Sequence, residues 1–168
     1  MIRTAQPSDA PLLANFINSA YRGTSSRTGW TTEADFLDGT RTHEELLLRV
    51  IDKPDSRIML FFNDRTLEGC VEIRKDADQL YLGMLTVHPE RQGQGIGKKL
   101  MHMAEEEGAR LGCTHVYMTV ITKRQELIAW YERQGYMNTG ETKPFEFDDP
   151  RYGLPKEPLE FTVLRKKI

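Results

Sequence analysis

The chain has 168 residues, 39% hydrophobic and 29% charged, with a formal net charge of −2. Its length fits one domain across residues 1–168, and a domain of that size buries roughly two-thirds of its unfolded surface without needing staples. The small negative charge argues against nucleic acid as the main partner, because duplex binding usually shows a strong basic excess. The two cysteines, Cys70 and Cys113, fall in neither a metal-ligand nor a CxxC spacing, and no metal is expected. Both adjoin apolar stretches, so buried free thiols in a reducing compartment are expected. Met1 to Asp9 lacks the basic-then-apolar pattern of a signal peptide, and no apolar run approaches the roughly 20 residues of a membrane helix. A cytoplasmic protein with no membrane partner is the expectation.

Ile2 to Ala5 reads as a first strand, followed by a turn at Pro7-Ser8-Asp9. Ala10 to Tyr21 sets Leu12, Leu13, Phe16, Ile17 and Ala20 at helical spacing. Arg22 to Gly29 is polar and predicted as loop. Thr31-Thr32-Glu33-Ala34 and Thr42-His43-Glu44-Glu45 both resemble helix starts, a hydroxyl cap followed by carboxylates. The second leads into an apolar helix that Pro54 ends. Ile58–Phe62, Leu67–Arg74 and Leu80–Val87 are strands joined by short turns, an antiparallel meander. A glycine-rich bend follows at Gly93, Gly95 and Gly97. A helix comes next, with Ile96, Leu100, Met103, Ala104 and Leu111 on one face and Gly112 at its end. His115–Val120 is a β-branched strand, and Glu126–Gln134 a helix closed by Gly135. Met137–Phe145 and Leu159–Leu164 are the last strands, separated by a charged surface loop over Asp148–Pro158.

The most informative stretch is strand, glycine bend, helix. Closely spaced glycines let main-chain N–H groups turn inward without Cβ clashes, and the next helix adds its own unpaired N–H groups. Together they suit a phosphate or pyrophosphate, with Lys98 and Lys99 adding charge at the mouth. Two common phosphate loops fail by counting. GxGxxG would need glycine at position 98 or 100, which hold Lys and Leu. GxxxxGK[ST] would need glycine at 92 and a hydroxyl at 99, which hold Gln and Lys.

The pattern that fits is Gln/Arg-x-x-Gly-x-Gly/Ala, met by Gln92-Gly93-Gln94-Gly95-Ile96-Gly97. Here the chain resembles the GNAT acetyltransferases, whose pyrophosphate-binding motif has this form. Downstream, Arg124-Gln125-Glu126-Leu127-Ile128-Ala129-Trp130-Tyr131-Glu132-Arg133-Gln134-Gly135-Tyr136 is similar to the family's closing motif. The two blocks occur in the family's order, separated by a helix and a strand. The resemblance implies an α+β fold with a mixed, mostly antiparallel sheet of about seven strands, splayed in the middle and flanked by about four helices. One departure stands out: Arg124 occupies a position where the family often has Asn. Arg124 could reach a cofactor phosphate or point to solvent.

The resemblance further implies an N-acetyltransferase that moves an acetyl group from acetyl-CoA to a primary amine within a ternary complex. Met84, Leu85, Thr86 and Val87 would offer backbone groups to the pantetheine arm. Gln92, Gly93, Gln94, Gly95, Ile96, Gly97 and Lys98 would hold the pyrophosphate, with Arg124 and Leu127 as further coenzyme contacts. Tyr131 would act as general acid at the thioester sulfur, since a phenol is protonated at neutral pH. The base is open between Glu72, which could equally be a solvent-facing strand carboxylate, and Glu33, which could equally complement a helix dipole. Trp30 could line the acceptor pocket or plug the core, and His88 reads as a surface histidine. Glu146, Asp148 and Asp149 could attract a cationic amine or simply be solvated. The acceptor would be a small-molecule or peptide amine, and the resemblance leaves a homodimer open. A non-catalytic acetyl-CoA-binding or sensing module on the same fold is the alternative, and the role of Tyr131 separates the two.

Overall fold

The structure is a computed structural model and describes residues 1–146, 151 and 153–168. In chain order the elements are β1 (Ile2–Thr4), α1 (Ala10–Tyr21), β2 (Leu37–Asp38), α2 (Glu44–Ile51), β3 (Ser56–Asn63), β4 (Thr66–Asp76), β5 (Gln79–Val87), α3 (Ile96–Arg110), β6 (His115–Ile121), α4 (Gln125–Arg133), β7 (Met137–Pro144), β8 (Leu154–Pro155) and β9 (Glu160–Lys167). Seven strands form the main sheet in the order β1-β3-β4-β5-β6-β9-β7, while β2 and β8 pair separately. Neighbouring strands of the main sheet are antiparallel except β5 and β6, which run parallel. The mixed, mostly antiparallel sheet, with four α-helices among the described residues, agrees with expectation.

Alternation along the strands divides the core in two. On β4, Cys70 joins a cluster with Leu13, Ile17, Leu47 and Leu60, on the side of α1 and α2. Its neighbour Val71 points the other way, into a cluster with Leu80, Leu100, Val116, Ile128 and Leu164 under α3 and α4. Helix α3 lies close on β4 because Gly69 leaves room. A Cβ there would come within 2.8 Å of the Leu100 side chain. Both cysteines are buried free thiols, and burial pushes the Cys70 thiol up to about 12. Among the described residues, no helix is long and apolar enough to cross a membrane.

The feature that shapes the molecule's chemistry lies between β5 and β6. Their parallel pairing covers only Gln79–His115, Leu80–Val116 and Tyr81–Tyr117. Beyond that point β5 carries an extra residue relative to β4, since Cys70 faces Thr86 but Glu72 faces Gly83. The bulge places Met84 at φ 46, a left-handed conformation that costs a residue with a Cβ about 1–2 kcal/mol. Side chains hold it in place. The Thr86 hydroxyl donates to the Met84 carbonyl at 2.8 Å, and the Tyr21 hydroxyl donates to that of Leu85.

Several local expectations change. Residues 31–36 do not start a helix; the chain makes a turn there and enters β2. Glu33 gives its side chain to Arg22 rather than to helix amides, so the cap logic does not apply. Helix α2 is capped by the His43 ring, which accepts from the Leu46 N–H at 3.3 Å, and not by Thr42. Leu12 is 47% exposed, while Leu13, Phe16, Ile17 and Ala20 are buried as expected, joined by Ala10 and Ala14. Met101 and Gly108, not Met103 and Leu111, complete the buried face of α3. Thr24–Thr28 forms a 3-10 turn inside the predicted loop. In the segment predicted as a surface loop, Leu154–Pro155 forms β8, and Phe147, Asp148 and Asp149 lie outside the described residues.

Leu100 is fully buried, and its truncation leaves a void between α3 and β4. Leu100→Ala is expected to cost about 2–5 kcal/mol, read as a lower urea midpoint with an unchanged m value.

Candidate active site

Two cavities open on opposite sides of the parted strands. The first, about 800 Å³, is lined by the glycine bend, the start of α3 and one face of α4. The second, about 720 Å³, lies toward α2 and the far ends of β6 and β9. They share four lining residues, Tyr21, Leu85, Leu127 and Tyr131.

In the first cavity the main chain is bare. Gly93 and Gly95 sit at φ 82 and 83, and a Cβ on either would meet nothing within 4 Å. Gly95 is also the N-cap of α3, so the unpaired N–H groups and positive dipole end of a 15-residue helix open beside it. Arg91, Lys98 and Arg133 add charge to the walls, and Arg91 is held by the buried Glu68 at 3.3 Å. Such a set suits a diphosphate. Lys99 does not contribute at the mouth, because its ammonium lies over the Phe61 ring.

The expected coenzyme residues divide by where the backbone points them. Gln92, Gly93, Gly95, Ile96, Gly97, Lys98, Leu85, Val87, Leu127 and Tyr131 line the first cavity. Gln94 does not, Met84 and Arg124 line the second cavity, and Thr86 is buried. Two of these side chains have an unforeseen task. Gln92 accepts from the Trp30 N–H at 2.8 Å and donates to the Thr31 hydroxyl at 2.8 Å. Arg124, 2% exposed, donates to the carbonyls of Thr31 and Trp30 at 2.9 and 3.3 Å. Neither orientation expected for Arg124, to phosphate or to solvent, is the one found. Together Gln92 and Arg124 clamp the Trp30–Thr31 segment as a wall of the first cavity. Gly29 makes this possible, since a Cβ there would stand 2.6 Å from the Gln92 amide.

Trp30 therefore lines the first cavity rather than the acceptor side or the core. Its ring stands edge-on to Trp130 at 6.0 Å, Trp130 meets Tyr131 at 5.1 Å, and Tyr131 meets Tyr136 at 6.0 Å. This aromatic row fixes Tyr131, which is 7% exposed. Burial pushes its phenol well above the ordinary tyrosine range, and the hydroxyl makes no hydrogen bond among the described residues. It is a proton donor without a partner, at the seam of both cavities. Tyr21, Trp130, Arg91 and Arg133 were missed by sequence reasoning. Trp130 and Arg133 sit inside the closing motif and could have been found by projecting it on a helix, but nothing in the sequence pointed to Tyr21.

Of the two candidate bases, Glu72 is 7% exposed and lines the second cavity, so it is not a solvent-facing carboxylate. Burial is the main cause that raises its pKa, opposed by Arg74, 3.9 Å away, and by Arg41 and Lys53. Glu33 lines the same cavity but is ion-paired to the buried Arg22 at 3.0 Å. His88 is half-buried, accepts from the Glu90 N–H and rests 6.3 Å from the Phe16 ring, away from both cavities. Glu146 lines the second cavity, while its expected acidic companions lie outside the described residues.

A sequence model described as the acetyltransferase (GNAT) family matches residues 17–136. Among curated proteins, acetyltransferase Atu2258 of Agrobacterium fabrum is 33% identical over 93 residues, covering 55% of this chain and 66% of that one, just under two thirds of its length. Among solved structures, the ribosomal-protein-S18-alanine N-acetyltransferase of Escherichia coli superposes with a TM-score of 0.75 at 13% identity, over 100% of this chain and 93% of that one. The YncA acetyltransferase structure from Salmonella typhimurium, with its cofactor acetyl-CoA, has a TM-score of 0.69 at 18% identity, over 99% and 92% of the two chains. The match spans the glycine bend, the parted strands and the closing motif, and by it this chain belongs to the GNAT acetyltransferase family.

Proposed function

We propose that the chain transfers the acetyl group of acetyl-CoA to a primary amine by direct attack, both substrates being bound at once. The observation that carries this reading is the position of Tyr131, whose side chain lines both cavities at their junction. Support for the coenzyme side comes from the bare glycine main chain, the start of α3 and the three cations around them, and from the acetyl-CoA named with the Salmonella structure. The residues present fit the group. Gly93, Gly95, Ile96, Gly97 and Lys98 would hold its diphosphate, and Leu85, Val87 and Leu127 its pantetheine arm. When bound, acetyl-CoA supplies an acyl carbon open to an amine and a sulfur able to leave.

The rest of the chemistry belongs to the protein. Glu72 takes a proton from the incoming ammonium, directly or through water; its raised pKa moves it toward neutrality, where a base is most effective. Tyr131 keeps its proton over the whole working range and gives it to the departing sulfur. Glu33, held by Arg22, contributes negative charge near the amine rather than proton transfer. Trp130 packs edge-on against Tyr131 at 5.1 Å and fixes the phenol from the coenzyme side.

Tyr131→Phe is expected to lower kcat about tenfold or more while the KM for acetyl-CoA changes little, measured by release of coenzyme thiol over an amine panel. Unchanged turnover at every pH removes the phenol from the chemistry. Coenzyme binding with no thiol release from any amine instead favours a sensing module. Burial raises the Glu72 pKa, so the carboxylate is lost as pH falls through a value above the ordinary range. The acid limb of kcat/KM should therefore lie above the pH at which free glutamate titrates, and should disappear in Glu72→Gln together with most of the activity. A wild-type acid limb retained in that variant excludes Glu72 as the base.

A further inference from the structure

The second cavity has an unexpected charge balance. Arg41, Arg49, Lys53, Arg74, Arg124 and Lys143 line it, against Glu33, Glu72 and Glu146. A pocket built only for an ammonium would show the opposite excess. Three of these cations are occupied. Arg49 pairs with Glu45, Arg74 lies 3.9 Å from Glu72, and Arg124 is bonded to carbonyls. Arg41, Lys53 and Lys143 make no side-chain hydrogen bond or ion pair among the described residues, and of the three Arg41 carries the planar fork. Its guanidinium stacks 5.7 Å from the Tyr21 ring centroid.

The backbone beneath Arg41 is firmly placed. Asn18 on α1 accepts from the N–H groups of Arg41 and Thr42 at 2.7 and 3.0 Å, and donates to the Thr42 carbonyl at 3.0 Å. The side chain therefore leaves a fixed base and faces the cavity. Burial opposes its charge, while the nearby carboxylates, Glu33 before Glu72, favour it. The nearby carboxylates do not consume it. Glu33 is ion-paired to Arg22 at 3.0 Å, and Glu72 lies 3.9 Å from Arg74. A guanidinium with five donors in a fixed fork, unpaired and walled by Tyr21, matches a carboxylate.

Resting on the transferase reading above, we propose that the acceptor is an amino-carboxylate. Arg41 receives its carboxylate through paired hydrogen bonds, and Glu72 faces its ammonium across the same cavity. Leu46, Val50 and Tyr81 form the wall left for the remainder of the molecule. The bonds balance simply. One N–C bond forms and the C–S bond breaks. One ammonium proton leaves through Glu72 to water, and the second replaces the proton that Tyr131 gives to sulfur. The products are an N-acetyl amino acid and free coenzyme.

The test uses matched pairs across the common amino acids, each free amino acid against its decarboxylated amine, with Glu-Ala-NH2 as a peptide source of the same two groups. Transfer is read as kcat/KM from thiol release, and binding by calorimetry on protein saturated with free coenzyme A. The carboxylate-bearing member of the best pair should win by about tenfold or more in both measurements, mostly through KM. Arg41→Gln should collapse that preference to about threefold or less, and Arg41→Lys should restore only part of it. Which of the free amino acid and the dipeptide amide is preferred names the source. Decarboxylated amines doing as well or better, no member binding at all, or a preference that survives in Arg41→Gln would overturn the proposal. Carboxylate-dependent binding without any thiol release would leave this inference standing and remove the transfer reading. Should Arg41→Gln fail to fold, the wild-type ratio decides alone.

Discussion

Strands β5 and β6 stay paired for three positions and then part, and both cavities follow from that parting. Neighbouring strands in a sheet normally sit about 4.8 Å apart, their N–H and C=O groups satisfying one another. Opening such a pair near the middle of a sheet exposes backbone polar groups that must find other partners. Here each side of the opening has its own remedy. On β6 the far edge stays paired with β9 from His115 to Ile121, so that strand keeps a partner after β5 leaves it. On β5 the bulge turns Met84 and Leu85 aside, and hydroxyls from Thr86 and Tyr21 cap their carbonyls. The parting is thus a built feature of the sheet rather than frayed pairing.

The same economy governs what surrounds it. Gly83 lies under the Tyr81 ring, where a Cβ would stand 2.6 Å from ring carbon. Tyr81 in turn packs at 5.5 Å against Tyr117, its partner in the last paired position of the two strands. Where pairing ends, stacked rings take over. On the opposite side, Gln92 and Arg124 hold the Trp30–Thr31 segment by hydrogen bonds, with Gly29 admitting the contact. One cavity wall is a sheet edge with its own fastenings, and the other is a short segment tied down by two side chains from distant parts of the chain.

The sequence made the meander of β3, β4 and β5 readable because apolar residues alternate there and turns are short. It made the ends of α3 and α4 readable because Gly112 and Gly135 occupy left-handed positions, φ 76 and 93, that few other residues accept. The glycine bend was legible for the same reason: backbone conformation writes itself into residue type. Side-chain destinations did not. Gln92 and Arg124 sit in motifs that suggest ligand contacts, yet their partners lie 61 to 94 residues away, a relation that local pattern does not encode. Arg41 was passed over because an arginine before a helix looks like surface until Asn18 is seen fixing its backbone. The short pairing of β2 with β8 was invisible for a related reason, being two residues on each side with a proline in one.

A last consequence concerns how the molecule can be observed. The chain has two tryptophans, Trp30 and Trp130, and they pack edge to face in the wall of a single cavity. One belongs to the tethered segment and the other to α4, so their separation records whether that segment is in place. Indole emission from this protein consequently comes from one location and needs no introduced dye. A change in its colour or intensity reports on the mouth of the glycine-lined cavity.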